Sequence, residues 1–338
     1  MSSQNQLSRY GSISRNIPEL APSAKVFLVG DSDDTTYGIE NLAAEFPPDG
    51  DGVVRVYSTI QAAVNAAAAN RGDIVLVAPN HIENFTRADT WATAGVQIIG
   101  MGNGETRPGL TYNDAGATVN LRGNGIRVSN LYFLASTDSA TTGIPAVNMD
   151  TGFFGQRFDN NIFSVDANTD DFKTMIRLGA KESLIENNRF ITGDTFGCAK
   201  AISIVGGDPD NSIIMNNYFW GNYDSAGDTA SDSTGSGVIA QDTSDTNDTN
   251  LSGLIIENNK IISTDTRATF LIRLSAGYTN RSAAINNQMI SYDTGSADSD
   301  LVAFAGMLGT NNTLQIGDSD VRQSIVNGFQ AARLHLDS

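Results

Sequence analysis

The residue types that do acid–base, nucleophilic or metal chemistry are sparse and scattered in this sequence. His81 and His335 are its two histidines, and Cys198 is its one cysteine. A transition-metal site needs several such ligands converging, and an intrachain disulfide needs a second cysteine, so neither is expected. Cys198, in Gly-Cys-Ala-Lys-Ala-Ile, reads as a small buried filler. His81, in Pro-Asn-His-Ile-Glu, reads as a structural residue at a corner, and His335 lies in the C-terminal tail. Asp170 and Asp171 are adjacent in a turn-like segment, where a solvated turn is expected. The run Asp242-Thr-Ser-Asp-Thr-Asn-Asp-Thr-Asn250 is rich in oxygens but lacks the Gly and the terminal Glu of an EF-hand loop. It reads as a solvated loop. No catalytic residue, cofactor or metal is predicted.

Recognition by stacking is the other chemistry available. If Phe219 points inward from a strand, its neighbours Tyr218 and Trp220 both face out. With Tyr223 and Trp91 they are the residues expected to stack on a glycan or to pack in an interface between subunits.

Charge narrows the partners. The 338 residues include 21 Lys+Arg against 38 Asp+Glu, a net of −17. This argues against nucleic acid and against docking on anionic lipid, and an acidic surface repels an anionic polymer while tolerating a neutral one. Residues 1–24 are the exception, with Arg9 and Arg15 against Glu19. They read as a flexible, weakly basic arm on an acidic body. The start lacks the apolar core of a secretory signal, and no stretch approaches the 18 uncharged apolar residues of a membrane span.

The elements that position these residues begin at Lys25. Residues 25–30 read as a strand, and residues 53–57 as another. Residues 58–70 read as a short Ala-rich helix with Ser58 or Thr59 as its N-cap, ended by Arg71-Gly72. Residues 73–79, apolar from Ile74 on, read as a strand buried on both faces.

A recurring Asn-Asn-x-apolar motif then fixes the architecture. It occurs around Asn130, Asn160, Asn187, Asn216, Asn258 and Asn286, at spacings of 30, 27, 29, 42 and 28. Periods of this size mark a solenoid. Asn tolerates the left-handed conformation that a corner between parallel strands requires. Stacked at about 4.8 Å per coil, these asparagines are predicted to form a hydrogen-bonded ladder. The spacing of 42 is read as one coil with a polar excursion over residues 224–250, which hold six Asp and no Lys or Arg. The predicted fold is all-β: a single-stranded right-handed parallel β-helix with a short N-terminal capping helix. Its expected parts are residues 1–24 (arm), 25–95 (entry strands and helix), 96–310 (β-helix) and 311–338 (a closing cap or tail).

The entry segment, Thr-Ile-Gln-Ala-Ala-Val, then a Gly-Asp turn, a buried strand and Pro-x-His-x-Glu, resembles that of pectate-lyase-like β-helices. Many members of that superfamily cut acidic polysaccharides. Their paired carboxylates, Arg-x-Lys triplet or calcium-binding acids have no counterpart at the matching kind of site here. The layout also resembles β-helical proteins of tailed bacteriophages. That likeness implies a structural virion protein on the capsid surface, assembled in the host cytoplasm as a homotrimer. It would decorate or cement the shell, with Arg9, Tyr10 and Arg15 contacting the major capsid protein or another virion protein. The alternative it implies is a tailspike-like protein that binds or cleaves a host surface glycan.

Overall fold

The computed structural model describes residues 24–31, 55–137, 144–166, 172–193, 198–205, 209–223, 237–241, 252–264, 270–274, 282–292, 302–304, 308–316, 322–326 and 329–331, with positions 52 and 170. Three sheets, parallel except for two antiparallel strands at the end of the second, wind into a β-solenoid; among the described residues they hold eleven, eleven and eight strands. One coil illustrates the path. Arg157–Asp159 lies in the first sheet, Ile162–Val165 in the second and Thr174–Leu178 in the third, and Leu184–Glu186 re-enters the first. Residues one coil apart pair directly, as Phe158 with Ile185 and Phe163 with Phe190.

Two columns of left-handed residues make the corners. Asn130, Asn160, Asn187, Asn216, Asn258 and Asn286 have φ of 55–60°, and each donates its N–H to the coil below. The hydrogen-bonded ladder, however, belongs to the asparagine that follows each of the last five, and to Asn312 after Asn311, which corrects the assignment of both roles to one residue; Asn130 is followed by Leu131, whose N–H the ladder caps. Asn161, Asn188, Asn217, Asn259, Asn287 and Asn312 are buried. Each Oδ1 accepts the backbone N–H of the equivalent residue one coil earlier, at 2.9–3.1 Å. Each Nδ2 donates to a backbone carbonyl, such as that of Ile185 for Asn217. The division is physical: a residue at φ near +57° has its side chain directed away from the core, whereas the next one points in. The second corner column is Asn70, Gly95, Gly125, Gly155, Glu182, Asn211 and Gly253, all at positive φ just ahead of first-sheet strands. It uses no fixed residue type and went unread in the sequence.

The repeat also runs further than residue 310. Asn311 has φ 53°, Asn312 joins the ladder, and Asn312–Ile316 pairs in parallel with Gln288–Ser291. Arg322–Val326 and Phe329–Ala331 then add to the same sheet in antiparallel fashion. Within the expected excursion, Gly237–Gln241 is a buried rung of the third sheet, between Lys200–Ile204 and Phe270–Leu274. The polar run is therefore two segments flanking a strand, and residues 242–250, where an oxygen-rich loop was expected, lie outside the described residues.

The helix is shorter than predicted, Ile60–Ala66, with Thr59 Oγ1 accepting from Ala62 N. It stops early because Asp73 captures the next amide: Ala68 N–H donates to Asp73 Oδ2 at 2.8 Å. Asp73 also accepts from Lys25 N and from the Arg71 guanidinium. Burial alone would raise its pKa, but the Arg71 bonds and the two backbone N–H groups outweigh burial and hold the carboxyl below the usual range. This turn ties the strand Val26–Val29 and the helix to the strand Ile74–Val77.

The core beneath the second sheet is a column of stacked rings. Phe133, Phe163, Phe190 and Phe219 follow one another with centroids 4.8, 5.3 and 4.6 Å apart and interplanar angles of 19°, 9° and 5°. Glu83 tops this column, above Leu110. Its Oε1 accepts from Ile60 N, at the start of the helix, and lies 3.2 Å from His81 Nε2. His81 and Glu83 are thus buried at the end of the core, where the helix closes it.

Candidate functional site: the outer face of the second sheet

Strand alternation decides which side chains this sheet presents. The pattern in Tyr218–Gly221 places Phe219 and Gly221 inside and leaves Tyr218 and Trp220 partly exposed. In the register of the sheet, Tyr132, Ile162, Arg189, Tyr218, Lys260 and Gln288 stand in one outward column. Trp220 stands beside it, with Ile262 and Ile290 one and two coils on. Tyr218 lies between two cations: the Arg189 guanidinium carbon is 5.9 Å from its ring centroid and Lys260 Nζ is 5.8 Å. Such contacts hold a ring and a cation in place without using up the cation's hydrogen-bond donors. Among the described residues, no outward position of this sheet from Ile82 to Gln315 carries a carboxylate. A chain of net charge −17 thus has a face of aromatic rings and cations.

Two predicted stacking residues lie elsewhere. Tyr223 is fully buried, and its hydroxyl donates to the Phe190 carbonyl at 2.9 Å. That bond satisfies the phenol inside the core; burial pushes its pKa well above the usual value. Trp91 is also fully buried, inward on the third-sheet strand Ala88–Trp91. Cys198 is buried as a small filler. Asp170 is described without its neighbour, and Arg9, Tyr10, Arg15 and His335 lie outside the described residues.

The first sheet presents a different surface. Asp159, buried, accepts both Arg127 Nε and Nη2, at 2.8 and 2.7 Å, and Ser129 Oγ at 2.9 Å. Burial opposes ionisation here, yet the Arg127 bonds win and hold the carboxyl below the usual range. Arg157 bridges Asp159 to Glu186 on the next coil. Every charge in this network is answered by another, which is the mark of a structural cluster. No group of three or more His, Cys, Asp or Glu residues is assembled to hold a metal among the described residues. No described helix is long and apolar enough to cross a membrane.

No family model and no curated protein matches this sequence. Solved structures do. The alginate lyase AlyF-OU02 in complex with G6 aligns over 90% of this chain and 62% of its own, at 17% identity and a TM-score of 0.54. The chain has the pectate-lyase-like β-helix fold. This chain spans less than two thirds of that lyase's length, and the likeness concerns the fold alone. Rice weevil pectin methyl esterase aligns over 93% of this chain and 96% of its own, at 13% identity and a TM-score of 0.48.

Proposed function

We propose that this β-helix binds a glycan along the outer face of its second sheet. The observation that carries this reading is the column Tyr132, Arg189, Tyr218 and Lys260 with Trp220 beside it. Aromatic faces take the apolar side of a sugar ring, while the neighbouring N–H donors take its oxygens. Trp220 and Tyr218 sit over the stacked phenylalanines, so their backbone is rigid and little ordering is needed on binding. Among the described residues the face carries no outward carboxylate pair to serve as the acid and base of a glycoside hydrolase, and it is read as a binding surface. The solved neighbour named as an alginate lyase agrees with a carbohydrate partner.

Trp220→Ala and Tyr218→Ala are each expected to weaken binding at least tenfold, or about 1.4 kcal/mol, on a panel of immobilised polysaccharides. Both variants should melt within a few degrees of the parent. Parental affinity in both variants, or no binding by the parent to any polysaccharide of its host range, would sink the reading.

Attachment to a phage capsid shell is a separate proposal that concerns residues 1–24. What supports it is the charge contrast in the sequence, Arg9 and Arg15 on a chain of net −17. Deleting residues 1–24 is expected to abolish co-sedimentation with shells while circular dichroism of the solenoid is unchanged. Undiminished co-sedimentation of the truncated chain would refute it.

A further inference from the structure

With 38 acidic and 21 basic residues, this chain has carboxylates to spare, so cations left without one stand out. Arg71, Arg87, Arg122, Arg127 and Arg157 each pair with an Asp or Glu. Among the described residues, Arg107, Arg177, Arg189 and Lys260 have no such ion pair; Arg177 stands on the third sheet, whereas Arg189 and Lys260 lie on the face just described and Arg107 at its edge.

Arg107 follows the short turn Gly104–Thr106, at the corner leading into the second sheet. Its side chain runs along that corner, past the coil of Tyr132, and Nη1 donates to the carbonyl of Asn160. That is one bond from a group with five donors, and its Nε is buried with no acceptor. Arg189 rises from the adjoining rung. It is the register partner of Ile162, and its backbone N–H donates to the Asn161 carbonyl at 2.9 Å. The Arg107 guanidinium therefore sits at Asn160, and Arg189 stands one coil on from Ile162, with its guanidinium over Tyr218. Burial, and then the charge of Arg189, lower the pKa of Arg107. Holding two like charges together while half-burying one of them is unfavourable unless an anion neutralises them.

We infer that the Asn160 corner is an anion subsite, in which Arg107 and Arg189 together hold a carboxylate, sulfate or phosphate substituent of the bound chain. The planar guanidinium fork suits each of these groups. The subsite opens directly onto Tyr218, against which both Arg189 and Lys260 pack, so an anchored anion leads into the stacking column. The inference rests on the glycan reading of the same face, but the anion subsite has its own readout.

The test measures binding of the full chain to immobilised polygalacturonate, dextran sulfate, polyphosphate and unmodified dextran. Preference for at least one anionic polymer over dextran by tenfold or more is expected, along with weakening at raised salt. Arg189→Gln and Arg107→Gln should each remove at least tenfold of that preference, and Arg107→Lys should keep more of it than Arg107→Gln. Arg189 is exposed, so its variant keeps the test valid if loss of the Arg107–Asn160 bond disturbs folding. Which anionic polymer binds identifies the substituent. Unchanged preference in both Gln variants, or dextran bound as tightly as the anionic polymers, overturns the subsite and leaves the glycan reading standing. Polyphosphate bound through both arginines while the three polysaccharides are ignored keeps the subsite and refutes the glycan reading. Binding to none of the four refutes both.

Discussion

Asn217→Leu is expected to destabilise the solenoid by about 3–5 kcal/mol, far more than Gly or Ala at its neighbour Asn216. Leucine keeps the branched skeleton of asparagine but replaces its amide with two bulkier methyl groups, so the lost hydrogen bonds are joined by some overpacking. In the parent, Asn217 Oδ1 accepts the Asn188 N–H at 2.9 Å, and Asn217 Nδ2 donates to the Ile185 carbonyl at 3.0 Å. Both partners are backbone groups in a buried corner. Removing the amide strands them, at roughly 1–3 kcal/mol each, and also breaks the side-chain chain from Asn188 to Asn259. Asn216 tells the opposite story. Its φ of 57° suits Asn and Gly, so Asn216→Gly should be nearly neutral and Asn216→Ala should cost only about 1–2 kcal/mol. Guanidinium unfolding, read as midpoint or unfolding rate, compares the three. Asn217→Leu within 1 kcal/mol of the parent, or less harmful than Asn216→Ala, would overturn the division of labour between the two asparagines.

Phe219→Ala is expected to cost about 3–5 kcal/mol and to damage recognition as well. The Phe219 ring lies 4.6 Å from that of Phe190 at an interplanar angle of 5°, and its register partner on the next coil is Ile261. Neither can fill the space without leaving its own rung, because each coil is pinned by its sheet hydrogen bonds. Phe219→Leu keeps most of the volume and should cost about half as much. Since each coil contacts only its neighbours, the damage should concentrate on the coils around residue 219. Tyr218 and Trp220 flank that position, so glycan affinity should fall with stability in Phe219→Ala and recover in Phe219→Leu. A stability loss below about 1 kcal/mol for the alanine variant would show that the ring column is not a packed core.

Much of the scaffold was legible in the sequence because it depends on local chemistry repeated at a period. An Asn-Asn pair ahead of an apolar residue must be a corner wherever it falls, and period-two alternation alone turns Tyr218 and Trp220 outward around Phe219. Alternation stops at Gly221, and Asn222 and Tyr223 are both buried past it, so an aromatic next to exposed aromatics reads as exposed until the Phe190 carbonyl is seen to receive its hydroxyl. Which asparagine turns the chain and which builds the ladder depends on the direction of the bend, which two identical neighbours cannot encode. The second corner column mixes Gly, Asn and Glu182, because a positive φ is a backbone demand that several residues meet. The strand Gly237–Gln241 was hidden between acidic runs, since five residues buried on both faces carry no alternation.

Net charge concealed the site itself. It sums over the chain, whereas recognition depends on which charges share a face. Two aromatic residues of that face, Tyr218 and Trp220, flank Phe219 in sequence, and alternation by itself turned them outward; the third, Tyr132, joins them only through the sheet register. The cations are not adjacent in sequence: Arg107 reaches Asn160 across 53 positions, and Arg189 and Lys260 meet at Tyr218 only because successive coils stack. That meeting belongs to the tertiary structure, which sets residues one coil apart about 4.8 Å from each other whatever their separation along the chain.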